Sequence, residues 1–314
     1  MTVTQVNTEQ TSYVSDIASA DVTSQRARNK PSKPARALEL LRVLARIDKQ
    51  FQVCVELPWR TKLQIAIAKY LYIFRSAAEP DVYRRAPLYI FGRRFHFDNF
   101  IGPALLQQMF VEDQYLKRWI NPGATVVDIG ANIGQFRLFS LEYLGAERVL
   151  SFEPVRRTFE FLSRNFSEGV WNLAIGDDAE VALYVDDTLT GRTGQTPRTG
   201  ANRIEIAKSR RLDEIEEIKQ LHAIDLLKID TEGAELDVLR FGTRTLRKSK
   251  FLFIEASVDR PCSGDLTDLC AFLKTCAPDF KPVHVGHVFD DGARTGAVDV
   301  LFENSAWKAR QKSF

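Results

Sequence analysis

Three hydrophobic patterns follow one another along this chain of 314 residues. Residues 1–30 hold Thr, Ser, Gln and Val without a sustained period, and RARNKPSKPAR adds charge and two prolines, the composition of a flexible leader. From Ala37 the apolar positions Ala37, Leu40, Leu41, Leu44 and Ile47 recur at helical spacing, with Glu39, Arg42, Arg46 and Lys49 opposite them. A second helix is predicted after Pro58, carrying Leu63, Ile67, Tyr70, Leu71 and Phe74. Two such helices either cover the main domain or pair with a second subunit in a homodimer; covering is favoured, because an apolar stripe is ordinarily core.

The third pattern is an alternation. PLYIFGRRFHFD (Pro87–Asp98) reads as two short strands around a Gly-Arg turn, and Ala104–Ile120 as a helix stopped by Asn121-Pro122-Gly123. Strands are then predicted at TVVDIG, RVLSFEP, VWNLAIG, VALYVD, IDLLKID and FLFIEAS, with helices between most of them and two final strands around His284 and Val298–Phe302. Short β-rich runs separated by helices predict an α/β fold: a mostly parallel sheet with helices on both faces. The division expected is a leader over 1–36, N-terminal helices and a β-hairpin over 37–119, and a main domain over 120–314.

Charge removes one class of function. Lys and Arg total 43 and Asp and Glu 41, and the five bases and three acids before Ala37 leave 38 of each in the body. A neutral body lacks the basic face that draws in nucleic acid. Four cysteines form no C-x-x-C pair and are too few for a disulfide framework. MTVTQVNTEQTSYVSD carries no secretory pattern, and the apolar run Leu63–Phe74 is shorter than the roughly 18 residues of a membrane span. A soluble, cytoplasmic protein is expected.

Candidate chemistry begins at Val126–Phe136, VVDIGANIGQF, a buried strand that breaks into glycines and opens a helix. An α/β sheet exposes backbone N–H groups to a ligand at such a point. Gly130 and Gly134 let the chain turn sharply and a ligand come close. Glu153, at the end of the next strand, is placed to accept both hydroxyls of a ribose. Nicotinamide and S-adenosylmethionine sites share this layout, but Asn132 stands where a diphosphate loop has its middle glycine. Asp128 would repel a diphosphate and suit an ammonium and a sulfonium, so S-adenosylmethionine is the expected cofactor.

DIGANIG followed by FEP, NLAIGD and LLKIDTEGAE (Leu226–Glu235) resembles the FkbM family of S-adenosylmethionine-dependent methyltransferases. The resemblance runs from about Phe110 to Phe302 and leaves out the first hundred residues. It implies a Rossmann-like class I methyltransferase fold with a seven-stranded sheet, and O-methylation of a sugar, glycan or natural-product small molecule. It also implies that Ala174, Ile175 and Asp177 hold the adenine. Arg137 and Phe241-Gly242 depart from the family pattern at positions that concern packing or substrate choice and not the cofactor motif.

Methyl transfer to a hydroxyl needs alignment and a base. Lys228, Asp230 and Glu232 alternate along the end of one strand and into its turn, so they can share a side. Asp230 or Glu232 is the expected base and Lys228 its charge partner; the competing reading is that these acids only favour the next helix N-terminus. A less favoured variant has Asp230, Glu255 and a third oxygen donor holding Mg²⁺. His284 and His287 lie three apart in an extended segment and cannot chelate without a bulge. Arg84, Arg85, Arg93 and Arg94 could line an acceptor groove, and Gly191–Arg203 could be a lid. Two rival functions stay open: an NAD(P)-dependent oxidoreductase on the same sheet, and a non-catalytic binding or assembly module.

Overall fold

The computed structural model describes residues 33–78, 87–99, 102–177, 179–185, 193–194, 202–259, 262–290 and 295–307. Helices α1 (Lys33–Cys54) and α2 (Trp59–Ala78) precede a hairpin of β1 (Leu88–Ile90) and β2 (Arg93–Phe95). Helix α3 (Gly102–Asp113) and a 3₁₀ turn (Gln114–Arg118) lead into β3 (Thr125–Ile129), α4 (Gln135–Glu142), β4 (Arg148–Phe152), α5 (Arg156–Asn165), β5 (Val170–Trp171) and β6 (Ala174–Ile175). There follow β7 (Glu180–Val185), β8 (Thr193–Gly194), β9 (Arg203–Arg210), α6 (Glu216–Lys219) and β10 (Ile224–Ile229). The remainder is α7 (Glu235–Arg240), α8 (Thr243–Arg247), β11 (Ser249–Ser257), α9 (Leu266–Cys276), β12 (Phe280–Asp290) and β13 (Thr295–Asn304).

Seven strands form the main sheet in the order β12–β13–β11–β10–β3–β4–β5. β3, β4, β5, β10 and β11 run parallel, and β13 and β12 close one edge antiparallel. This is the mostly parallel α/β sheet that the alternation predicted, in the seven-stranded, Rossmann-like form that the resemblance implied. The chain fills one side of β3 first and then returns to β10 on its other side, so a crevice opens at the carboxyl ends of β3 and β10. A four-stranded sheet, β6–β9–β7–β8, flanks it.

Period-2 alternation divides the strand side chains between two cores. Val126, Leu226 and Phe253 face a cluster that includes Phe139 of α4 and Phe51, Phe95, Phe97 and Phe110 from the N-terminal elements. Val127, Ile129, Leu227 and Ile229 face Leu212, Leu239 and Leu269 on the opposite side. The N-terminal helices are joined by one carboxylate: Asp48 accepts from Lys69 Nζ at 2.6 Å, the Tyr70 hydroxyl at 2.6 Å and Gln107 Nε2 at 3.2 Å.

That hub reverses the expected orientation of α2. Lys69 is buried beside Ile65 and Tyr72, whereas four members of the expected core stripe, Leu63, Ile67, Leu71 and Phe74, are 47–65% exposed and the fifth, Tyr70, is half-buried against Asp48. A buried ammonium needs its partner, and pairing with Asp48 turns the Lys69 face inward. Three further differences are local. The expected helix over 104–120 breaks at Asp113, VWNLAIG divides between two sheets, and β9 was not anticipated because RIEIAKSR is largely exposed along its length. The leader through residue 32, Arg84, Arg85 and most of Gly191–Arg203 lie outside the described residues. Among the described residues no helix is long and apolar enough to cross a membrane.

Candidate active site

Where β3 ends, the chain turns through three left-handed residues: Gly130 (φ 79°), Asn132 (φ 52°) and Gly134 (φ 93°). Asn132 takes a conformation that glycine adopts more readily, which asparagine tolerates through local hydrogen bonds. Its Oδ1 accepts from the Ile133 amide at 2.8 Å. The glycines serve packing as well as turning. A Cβ on Gly130 would lie 1.7 Å from the Asp230 carbonyl oxygen, and one on Gly134 would lie 2.6 Å from the Phe166 ring. The loop is then tied to the next strand, since Glu153 accepts from the Asn132 amide and the Val155 amide, each at 2.9 Å. One lone pair on each Glu153 oxygen remains for a ligand.

Two cavities meet beside this loop. The first, about 160 Å³, lies between the loop, Phe152–Val155, Leu173–Ile175 and Leu183, with Asp230, Thr231 and Glu232 at its other end. The second, about 190 Å³, is bounded by Glu112, Asp113, Phe136, Lys228, Phe253 and Asp299 among others. Four residues border both: Gly130, Asn132, Asp230 and Glu255. Apolar walls with a few convergent polar groups are the usual form of a small-molecule site.

Lys228 is the electrostatic centre. Its Nζ lies 3.3 Å from Asp128 Oδ1 and 3.2 Å from Asp230 Oδ2, and it donates to the Gly130 carbonyl at 3.1 Å. Burial alone would lower its pKa, but Asp230 and Asp128 outweigh burial and hold the ammonium above the ordinary lysine range. Asp128 is wholly buried, and burial raises its pKa against the opposing pull of Lys228. It lines neither cavity and reaches them only through Lys228. Glu153 is pushed up to about 7 by burial, with the Val155 and Asn132 amides acting in the opposite direction.

The structure therefore brings Gly130, Asn132, Glu153, Ala174, Asp230 and Glu232 to the first cavity. Gly134 lies behind it, and Asp177 points to solvent, 3.0 Å from Arg211. Carboxylate oxygens of Asp230, Glu232 and Glu255 lie within 4.8 Å of one another and could receive a hard cation, although Lys228 already stands on Asp230. Arg137 is buried and donates to the carbonyls of Val149, Glu168 and Gly169, a packing role. Sequence reasoning missed Glu112, Asp113 and Asp299, since nothing in a helix end or a sheet edge marks a residue as facing a cavity. It also missed Glu235, whose carboxylate accepts from the Thr231 and Gly233 amides and shapes the 231–233 turn. The His284 ring lies tilted against Tyr115 with centroids 3.9 Å apart, whereas His287 Nδ1 lies 3.4 Å from Glu112, so the two histidines have separate surroundings.

A model of the methyltransferase FkbM domain matches residues 128–277. The chain is similar to Methyltransferase 1 of Beauveria bassiana (strain ARSEF 2860), at 28% identity over 43% of this chain and 64% of that protein. It is similar also to the 31-O-demethyl-FK506 methyltransferase FkbM of Streptomyces tacrolimicus, at 33% identity over 43% of this chain and 66% of that protein. In both the match spans less than two thirds of the relative's length. Among solved structures, the methyltransferase FkbM from Methylobacillus flagellatus KT aligns at 19% identity and a TM-score of 0.39, over 73% of this chain and 59% of that one.

Proposed function

We propose, from the match of residues 128–277 to a model of the methyltransferase FkbM domain, that the protein is an S-adenosylmethionine-dependent O-methyltransferase acting on a hydroxyl of a sugar or natural-product acceptor. The observation that carries the reading is the pair of cavities meeting at Asp230 and Glu255. The first cavity fits the cofactor: Glu153 keeps acceptor capacity for ribose hydroxyls, Leu173, Ile175 and Leu183 supply apolar faces for a purine, and Asp230 and Glu232 favour a positive charge. When bound, the cofactor supplies an electrophilic methyl group. The chain's own contribution is to hold the acceptor hydroxyl in line from the second cavity and to take its proton.

Asp230 is the base in this reading, because it borders both cavities whereas Glu232 borders only the first. Lys228, 3.2 Å from Asp230 Oδ2, orients its carboxylate. A Mg²⁺ route is not favoured, since Lys228 already supplies positive charge to Asp230 at 3.2 Å; exhaustive treatment with EDTA is expected to leave turnover unchanged.

Calorimetric titration with S-adenosylhomocysteine tests the core of the reading. Micromolar binding and a raised melting temperature are expected, with no shift from NADH or NADPH. Heat absent at micromolar protein refutes the reading and leaves the binding-module alternative.

A pH dependence follows from Glu153. Its folded pKa of about 7 lies above the ordinary glutamate value, so its contribution to stability is present at low pH and is lost as pH rises from about 4.5 to 7. Ribose hydroxyls donate best to the carboxylate. S-adenosylhomocysteine affinity is therefore expected to rise about tenfold from pH 6 to pH 8, and Glu153→Gln to flatten that profile and weaken binding by roughly 10- to 100-fold.

The exposed stripe of Leu63, Ile67, Leu71 and Phe74 on α2 supports a homodimer in which a second copy covers it. Sedimentation is expected to give a dimer for the parent chain and a monomer for Leu71→Glu/Phe74→Glu, and a monomeric parent refutes the pairing.

A further inference from the structure

The second cavity has a charge composition that methyl transfer to a neutral hydroxyl does not require. Glu112, Asp113, Asp230, Glu255 and Asp299 line it, and among the described lining residues Lys228 is the single cation. Lys228 is already shared between Asp128 and Asp230. The acids arrive from unrelated places: Asp113 at the break of α3, Glu255 and Asp299 as a directly opposed cross-strand pair of β11 and β13.

Asp113 and Asp299 are the informative members. They are only 7% and 8% exposed, and within the described residues neither carboxylate makes a hydrogen bond or ion pair, although the Lys228 charge acts on Asp113 from further off. A buried carboxylate without a partner is costly. Burial, first, and the charges of neighbouring acids, second, hold both well above the usual carboxylate range; for Asp299 those neighbours are Glu255, Asp113, Asp230 and Glu112. A neutral polyol could hydrogen-bond to these groups, whereas a protonated amine would also favour their ionised forms and offset the charge. Phe136, Phe253, Phe289 and Met109 line it as well, beside the amides of Asn132 and Gln135. Aromatic faces beside desolvated carboxylates suit an organic cation, which gains from both, whereas a divalent metal would prefer oxygen ligands and water on all sides.

We propose that the second cavity binds a protonated amine of the methyl acceptor, seated between Asp113 and Asp299 with its carbon skeleton against the phenylalanines. The proposal rests on the methyltransferase reading and narrows its acceptor to one that carries a basic nitrogen near the methylated hydroxyl. Asp113 and Asp299 are specificity residues here, and Asp230 keeps the proton-transfer role.

The full chain saturated with S-adenosylhomocysteine is titrated with benzylamine, benzyl alcohol and benzoate, matched in size and differing in charge, with binding followed by ligand-observed NMR. Benzylamine is expected to bind at least tenfold more tightly than benzyl alcohol, and benzoate most weakly. Asp299→Asn should weaken benzylamine about tenfold, leave benzyl alcohol unchanged and keep the affinity for S-adenosylhomocysteine, which shows that the variant is folded. Asp113→Asn provides a second variant if Asp299→Asn does not fold. Equal binding of the three probes, equal absence of binding, or indifference of benzylamine to both variants overturns the amine site. Displacement of benzylamine by millimolar MgCl₂ in the parent chain, abolished in Asp299→Asn, overturns it in favour of a metal. Failure of S-adenosylhomocysteine to bind at all counts against the methyltransferase reading instead.

Discussion

Asp230→Asn is expected to bind S-adenosylhomocysteine as tightly as the parent chain does and to lose methyl transfer by on the order of 10² to 10⁴ in kcat. The asparagine keeps the size of the side chain and an oxygen that Lys228 can reach, so loop and strand should hold their positions. What it removes is the capacity to accept a proton. The assay follows labelled methyl transfer to whichever hydroxyl compound the parent chain turns over in a screen of glycans and metabolites. Glu232→Gln provides the internal contrast: it borders only the first cavity, so its effect should fall on cofactor affinity and on kcat by less than tenfold. Asp230→Asn retaining more than a tenth of the parent kcat would remove it as the base. A loss confined to Glu232→Gln would transfer the role to that residue, at the turn where a non-glycine φ of 57° already implies a local constraint.

How much of this could be read from the chain before folding depends on how local each cause is. The strand–glycine–helix transition at Val126–Phe136 is local, since a buried strand, a left-handed turn and a helix start each leave marks within a few residues. Glu153 was legible for the same reason, at a fixed distance along the chain from the loop. The orientation of α2 was not. Its apolar stripe is real, but a single ion pair between Lys69 and Asp48, 21 residues apart, decides which face is buried. The acidic wall of the second cavity was illegible on the same grounds: Asp113 and Asp299 are 186 positions apart in the numbering and meet only because β13 inserts next to β11. Gly130 is instructive in both directions. Its left-handed turn was predictable, whereas its near contact with the Asp230 carbonyl follows from β3 and β10 lying side by side, with Asp230 N donating to Ile129 O at 3.0 Å.

The same parallel pairing sets the second large effect, the stability loss on replacing Lys228. Lys228 and Asp128 are register partners on adjacent central strands, and both side chains are taken out of water by the elements packed over them. Lys228→Met keeps most of the volume and removes the charge, which leaves Asp128 with the Ser151 hydroxyl at 3.4 Å as its hydrogen-bond donor and Arg137 as the remaining cation acting on it. A buried ion deprived of its partner costs about 3–5 kcal/mol, so a fall in melting temperature on the order of 10 °C is expected at pH 8. The sign of the pH dependence follows from protonation. Burial already raises the Asp128 pKa in the parent chain, and loss of Lys228 raises it further, so the folded variant takes up a proton that the unfolded chain releases. Stability recovered by that proton is present at low pH and lost as pH rises through the new folded pKa. The deficit of Lys228→Met should therefore be smaller at pH 5 than at pH 8. Adding Asp128→Asn removes the titrating group, and the double variant should regain at least half of the lost stability at pH 8 with little change between the two pH values. A single variant whose deficit is the same at both, or one that Asp128→Asn does not rescue, would mean that Lys228 stabilises the sheet through packing on Phe136, whose ring centroid lies 5.5 Å from its ammonium, and not through the buried charge pair.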